Sequence, residues 1–328
     1  MRISKHLTQL ITLFLLLSIA ACKKENQPAA KIQNNPAPVY VLATISTNAV
    51  TNNQGTSVLS GGNITSDNGS AITARGVCWS LVQTPTVADS KTSDSTGTGL
   101  FNGQLNGLIP DTTYYVRAYA TNAAGTAYGN SVSFVTNTVD VDGNVYTSVT
   151  IGAQIWMVEN LKTTHYSNGD ALANVTDNAQ WVNLSEGAYC DYNNTPANSL
   201  IYGRLYNYYT IDDPRNICPK GWRLPTNADW LQLETFLGGN NVAGAAMKEA
   251  GTTHWNTPNT GATNSSGFTG LPAGNRGAGG FYDMGNYAYF WADALSTYSR
   301  ALLDNSASTS GISNNGSNLG LSIRCIKR

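Results

Sequence analysis

Charged residues are scarce in this chain. Asp, Glu, Lys and Arg make up 12% of its 328 residues, about half the usual share of roughly 25%. Neither sign dominates, with 19 basic residues against 20 acidic ones, which excludes the basic surface that nucleic acid or anionic headgroups select. Solubility falls instead to Asn, Ser, Thr and 32 glycines, a turn-rich composition that suits a β-dominated, exported protein. Disorder is excluded by the 41% hydrophobic and 9% aromatic residues, enough to build a core.

Residues with catalytic chemistry are few. Beyond the first residues the only histidines are His165 and His254. Each follows Thr-Thr and precedes an aromatic residue, the setting of a structural histidine in a strand or loop. No H-E-x-x-H, G-x-S-x-G or Walker loop occurs. Gly274–Gly280 is glycine-rich without phosphate-loop spacing and reads as a loop. Five cysteines form no C-x-x-C pair, which argues against zinc. A glycosidase needs two carboxyls about 5–10 Å apart. Asp229, Glu234, Asp283 and Asp293 are available, each equally readable as a cap or surface residue. Asp140-x-Asp142-Gly143-Asn144 starts like a calcium loop, but Ile151 stands where that loop needs Glu. A hairpin turn, with Asp-Gly supplying positive φ, is the better reading. The expectation is a non-enzyme without cofactor or bound metal.

No run reaches the ~20 apolar residues of a spanning helix. The longest near the start, Leu7 to Ala21, has 15 residues and follows Arg2 and Lys5, the layout of a secretory signal. It ends in Ile19-Ala20-Ala21-Cys22, which resembles the lipobox of bacterial lipoproteins. The resemblance implies a signal peptide over residues 1–21, cleavage before Cys22, and acylation there. Several acyl chains anchor stably where one is marginal. Processing takes Arg2 and Lys5, leaving 17 basic against 20 acidic residues. Lys23-Lys24, with no Asp after Cys22, resembles lipoproteins released to the outer membrane. The expected location is thus the outer membrane or cell surface, lipid-anchored, with the periplasmic face as the alternative. Residues 22–38 hold the lipidated cysteine and an aperiodic Lys/Gln/Asn/Pro/Ala stretch that reads as a flexible tether.

The remainder suggests two domains, with a break near Asn137–Val139. Residues 39–137 alternate short β-rich segments with Asn/Gly/Ser clusters, the spacing of an all-β sandwich. In the clearest strand, Tyr114–Thr121, the alternation places Tyr114, Val116, Ala118 and Ala120 inward and Tyr115, Arg117 and Tyr119 outward. Leu108-x-Pro110-x-Thr112-x-Tyr114 resembles the approach to the penultimate strand of fibronectin type III domains. That resemblance gives Tyr114 the tyrosine-corner role, its hydroxyl bonding the backbone just upstream. It also makes Thr121–Gly125 a hairpin turn and Ser131–Thr136 the last strand. The family's second-strand Trp is absent, and Trp79 is the candidate to fill its place.

Residues 138–328 carry a series of ordered blocks. They begin with Asp142-Gly143-Asn144-x-Tyr146 and Ile151-Gly152-x-Gln154-x-Trp156-Met157-x-Glu159-Asn160-Leu161. They continue through Gly187-Ala188-Tyr189-Cys190-x-Tyr192, Tyr202-Gly203-Arg204-Leu205-Tyr206-Asn207 and Cys218-Pro219-x-Gly221-Trp222-Arg223-Leu224-Pro225-Thr226. They close with Gly267-Phe268, Leu271-Pro272-Ala273-Gly274, Phe290-Trp291 and Ser322-Ile323-Arg324-Cys325. This series resembles the Fibrobacter succinogenes major paralogous domain of secreted and surface proteins, a resemblance that brings no activity with it. Leu224-Pro225-Thr226-x-x-x-x-Trp230 resembles the helix start of formylglycine-generating and other lectin-like domains. It implies an α+β, C-type-lectin-like fold. Thr226 can N-cap that helix with Asp229 at N3, Trp230, Leu233 and Leu237 form its apolar stripe, and Gly238-Gly239 end it. The lectin-like resemblance further implies a Cys218–Cys325 disulfide, which would leave Cys78 and Cys190 over.

Aromatic side chains are the remaining functional signal. One group gathers between Tyr189 and Tyr209 and another between Phe281 and Trp291, and each can fill the core or stack on a ligand. Recognition sites favour irregular loops on rigid scaffolds, and Gly251 to Tyr289 is the longest aperiodic stretch. The expected contact residues are Tyr282, Tyr287, Tyr289 and Trp291 for stacking, with Asn275, Arg276 and Asp283 for polar contacts. Trp291-Ala292-Asp293 matches only part of the calcium-dependent lectin element, so calcium is not expected. The function read from this is binding or adhesion to a glycan or surface protein, with the membrane reached through the lipid. An extracellular carbohydrate-active enzyme and a purely structural envelope component are the alternatives. Cys22→Ala should abolish lipid labelling and signal-peptide processing, as metabolic labelling with a fatty-acid analogue would show. Normal maturation of that variant would refute the anchor.

Overall fold

The computed structural model describes residues 36–293, 297–313 and 316–328, with the side chain of Asp293 outside that set. The expected signal peptide, Cys22 and nearly all of the expected tether fall outside the described residues. Among the described residues secondary structure is mostly β, with five short α-helices.

The first eight strands are β1 (Thr44–Thr47), β2 (Ser57–Ser66), β3 (Ala74–Ser80), β4 (Ser90–Lys91), β5 (Gly99–Asn106), β6 (Thr113–Asn122), β7 (Gly125–Tyr128) and β8 (Val132–Val135). They form one sheet in the order β1-β2-β5 and another in the order β4-β3-β6-β7, with β8 also on β6. Alternation builds the core between the sheets. Val58, Ile64, Phe101 and Leu105 come from one, Val77, Val116 and Ala118 from the other, and Trp79 packs at the edge. The Tyr114 hydroxyl accepts the Ile109 N–H at 3.2 Å, which closes the tyrosine corner. One expected outward residue is not outward. Tyr119 is only 3% exposed, because its hydroxyl donates to Thr92 O at 2.7 Å, under the segment that follows β4. Period two assigns a face but not what covers it.

The second region contributes β9 (Thr138–Val139), β10 (Val145–Tyr146), β11 (Ser148–Ile151), β12 (Gln154–Met157), β13 (Ala173–Asn174), β14 (Ala188–Cys190), β15 (Leu205–Tyr206) and β16 (Trp222–Arg223). Later come β17 (Asn275–Gly277), β18 (Gly280–Tyr282), β19 (Tyr287–Asp293), β20 (Tyr298–Leu303), β21 (Thr309–Ile312) and β22 (Ile326–Lys327). Its helices are α1 (Asn178–Val182), α2 (Pro196–Tyr202), α3 (Tyr208–Asp212), α4 (Asn227–Phe236) and α5 (Asn240–Met247). β9 and β10 pair around Gly143, whose φ is 84°. The Asp140 carboxylate fills this turn by accepting from the Asp142 and Asn144 amides and the Tyr146 hydroxyl.

Helix α4 starts as its residues dictate. Thr226 and Asp229 form a complete capping box, and Gly238 and Gly239, at φ 98° and 99°, end the helix. Trp230 meets Trp156 at 4.9 Å and Phe290 at 5.6 Å between ring centroids, so the apolar stripe lands on β12 and β19.

The region closes on itself. β22, the last strand, joins β11-β12 on one side and β16 on the other, in the order β11-β12-β22-β16. Cys218 and Cys325 are bridged with a Cα–Cα separation of 6.0 Å, across 107 residues. On the chain-entropy account such a loop is worth about 4–5 kcal/mol. Beside the bridge, Arg324 is 1% exposed. Its Nε and Nη2 donate to Asn160 Oδ1 at 2.9 and 2.6 Å, and its Nη1 to Phe268 O at 2.6 Å. The guanidinium lies 4.4 Å over the Phe268 ring. Two distant sequence blocks thereby become one site.

The aperiodic stretch after α5 is packed rather than loose, with Trp255 and Phe268 buried. Lys248, fully buried, donates to Thr260 O, Leu303 O and Ser306 O at 3.0, 2.7 and 2.8 Å. Burial pushes its amine down to about 8. At the end of the first region Asn137 pairs with Asn53, and between the two regions Lys327 meets Asp111 at 2.8 Å.

Arg324→Met keeps the apolar stem but strands Asn160 Oδ1 and the Phe268 carbonyl. At about 1–3 kcal/mol per buried unmatched group, a loss of about 3–5 kcal/mol is expected in denaturant unfolding. A loss below about 1 kcal/mol, no more than an ordinary hydrogen bond, would refute the role given to this residue.

Candidate functional site

The β17–β18 hairpin sorts the expected contact residues by face. Asn275 pairs with Tyr282 and Arg276 with Phe281, so the first pair shares one face and the second the other. Arg276 is fully buried. Its Nη2 donates to Thr176 O and Asn178 Oδ1 at 2.9 and 3.0 Å, and its guanidinium lies 4.4 Å over Trp181. It holds the hairpin to α1 and cannot meet a ligand, which corrects the expectation. On the opposite face Tyr282 is 47% exposed. A Cβ at Gly279 would lie 2.4 Å from its hydroxyl, so the glycine run lets the tyrosine lie flat.

Asp283, at φ 67°, turns the chain into β19, and its carbonyl accepts the Asn286 and Tyr287 amides. Its Oδ2 accepts from Asn275 Nδ2 and from the Tyr289 hydroxyl, each at 3.1 Å. Burial and the Asp283 charge raise Tyr289 above the ordinary phenol range, so it stays a donor. Tyr287, Tyr289 and Trp291 alternate along one face of β19. The Tyr287 and Tyr289 rings are parallel within 1°, with centroids 5.3 Å apart, and both are partly exposed. Trp291, at the same periodicity, is fully buried. Its Nε1 donates to Tyr206 O at 2.8 Å, and Tyr208 of α3 packs edge-on to its ring. The stripe starts at solvent and ends under α3, so Trp291 is core and not a stacking residue.

Five expected residues therefore gather at one surface: Asn275, Tyr282, Asp283, Tyr287 and Tyr289. They offer aromatic area beside a carboxylate whose Oδ1 takes no hydrogen bond among the described residues.

Of the four carboxylates singled out for catalysis, Asp229 and Glu234 are otherwise engaged, and the side chain of Asp293 lies outside the described residues. Burial alone would raise Asp229, but Arg223 and Thr226 hold it down at about 2. Glu234 pairs with Arg300 at 3.0 Å. Sequence reasoning missed the partners of both histidines, since neither is a neighbour in the chain. His165 Nδ1 lies 2.5 Å from Asp142, and His254 Nδ1 lies 2.8 Å from Glu249. Burial pushes the Cys78 and Cys190 thiols up to about 11 and about 12, which leaves little thiolate. Among the described residues no three His, Cys, Asp or Glu converge as metal ligands. Elsewhere a groove of about 580 Å³ runs beside α4, where Leu231 and Phe236 are exposed.

The model of the Fibrobacter succinogenes major domain matches residues 149–327. The chain belongs to that family. Within the Fibrobacter succinogenes major domain, the aromatic surface and the Arg324 site both lie inside the matched span. No curated protein matches the chain. Among solved structures it is similar to the sixth fibronectin type III domain of human fibronectin type III domain containing protein 3. That likeness has 25% identity over 30% of this chain and 88% of that one, at a TM-score of 0.23. A structure described as a myokine shares 15% identity over 29% of this chain and 98% of its own, at a TM-score of 0.24. The sensor domain of the anti-sigma factor RsgI4 from Pseudobacteroides cellulosolvens shares 15% over 29% and 93%, at 0.22. The fibronectin type III-like character of the first region rests on its strand order and tyrosine corner.

Trp291→Ala should cost about 3–5 kcal/mol, as a large-to-small change in a packed core does. A stability within about 1 kcal/mol of the parent, by thermal unfolding, would return Trp291 to the surface.

Proposed function

We propose that this Fibrobacter succinogenes major domain protein is a lipid-anchored, non-catalytic binding module of the outer membrane or cell surface. In chain order it comprises a Cys22 anchor, a tether, a fibronectin type III-like spacer and a C-type-lectin-like domain that engages a glycan. The observation that carries this reading is the parallel Tyr287–Tyr289 pair with Asp283 in hydrogen-bond reach. Aromatic faces stack on the apolar side of sugar rings, and a carboxylate with a free oxygen accepts their hydroxyls. Asn275 and Tyr282 border the same surface. The lectin-like assignment draws support from the capped α4, from the last strand β22 sharing a sheet with the early strands β11 and β12, and from the Cys218–Cys325 bridge. A protein partner is the second reading, favoured by the exposed Leu231 and Phe236 beside the α4 groove.

A glycan array run beside a hydrolysis assay separates binder from enzyme and from structural component. Tyr287→Ala should weaken glycan binding about tenfold, or about 1.4 kcal/mol, with little change in melting temperature. Full affinity combined with lost stability would place the tyrosine pair in the core and remove the site. Turnover of any bound glycan would favour the carbohydrate-active enzyme instead.

A further inference from the structure

A second polar concavity lies apart from the tyrosine surface and does not depend on the reading above. It opens where α4 faces β20 and β21, with Glu234, Asn240, Tyr298, Arg300, Thr309 and Gly311 in its wall. Its volume is about 400 Å³, near the lower end of ligand sites, which run roughly 300–1,000 Å³.

Arg300 is the unusual element. It is 3% exposed, and its Nη2 donates to Asn227 Oδ1 at 2.8 Å. Its Nε lies 3.0 Å from Glu234 Oε1, which also accepts from Thr309 Oγ1 at 2.7 Å. Among the described residues the Nη1 group has no hydrogen-bond partner. A buried donor without an acceptor is costly, and this one belongs to a residue that lines the cavity. Gly311 shows where it points. A Cβ there would come within 2.0 Å of the Tyr298 hydroxyl and 2.6 Å of Arg300 Nη1, so both groups converge over a residue without a side chain. The guanidinium lies 4.9 Å over the Tyr298 ring, which fixes the two together.

Charge selects the class of guest. Glu234 balances Arg300, so an anion gains from one group what it loses to the other. A hydroxyl serves both, accepting from Nη1 and donating to Glu234 or the Tyr298 oxygen. We propose that this cavity binds a neutral, hydroxyl-rich ring, a single uncharged sugar residue. Arg300 Nη1 and the Tyr298 hydroxyl are its polar anchors.

The test is an NMR titration of the purified protein with methyl β-glucoside, methyl β-galactoside, methyl α-mannoside and, as the anionic counterpart, methyl β-glucuronide. At least one neutral glycoside should shift the Arg300 Nε–H and Tyr298 ring signals with a Kd on the order of 1 mM, and the glucuronide should bind about tenfold more weakly. Gly311→Ala, which displaces only the ends of two side chains, should reduce neutral binding about tenfold. Tyr298→Phe should do the same without touching the cavity floor, and it carries the test if the alanine variant fails to fold. Tyr287→Ala should leave these signals unchanged. The proposal falls if no neutral glycoside shifts them, if the glucuronide binds equally or better, or if both folded variants bind normally. Shifts confined to Tyr287 and Tyr289 would sink this cavity while leaving the tyrosine surface standing.

Discussion

A buried guanidinium with no carboxylate paired to it among the described residues holds the second region together. Arg324 directs its donors to Asn160 Oδ1, Met157 O and Phe268 O, groups that come from the start and the late middle of the region. Those acceptors are fixed in space only when β12, the aperiodic stretch and the chain end have all arrived. The neighbouring residue is Cys325, so the covalent bridge and the polar site constrain the same strand. Everything between them, including the hairpin and β19 that present the tyrosines, is folded inside that closure.

This arrangement gives physical content to the blocks seen in the sequence. Glu159-Asn160 and Ser322-Ile323-Arg324-Cys325 are far apart in the chain and adjacent in space. Glu159 caps the neighbouring strand by accepting from the Thr147 amide and hydroxyl. Gly152 lies against the Phe236 ring, where a Cβ would approach to 2.8 Å. Such a motif records contact, not chemistry.

Much of the fold is legible in the amino-acid sequence, because its determinants are local. Thr226 and Asp229 sit three residues apart, and their capping box formed. Tyr114 and Ile109 are five apart, and their corner closed. Asp140 and Gly143 made their turn. The Cys218–Cys325 pair came by resemblance, and its geometry is present. The site was legible only in part, because exposure is a long-range property. Asn275 and Arg276 are adjacent, yet one borders the surface and the other lies against Trp181. Tyr287, Tyr289 and Trp291 share a periodicity, but only α3, from some eighty residues earlier, decides where the stripe is covered. The same holds for Tyr119 beneath Thr92. The Arg300 cavity gave no signal at all, since its wall comes from four elements, α4, α5, β20 and β21, and includes a residue without a side chain.

The bridge also has a mechanical meaning for a chain pulled at its two ends. An unfolded chain lengthens by about 3.3–3.6 Å per residue, so the 107-residue separation between Cys218 and Cys325 amounts to roughly 350–385 Å of hidden length. A tensile load along the backbone cannot release that length while the sulfurs stay joined. Tension bypasses the enclosed segment, and the tyrosine surface lies within it, between Asn275 and Tyr289. A load applied at the two chain ends therefore leaves the tyrosine surface undrawn while the bridge is intact.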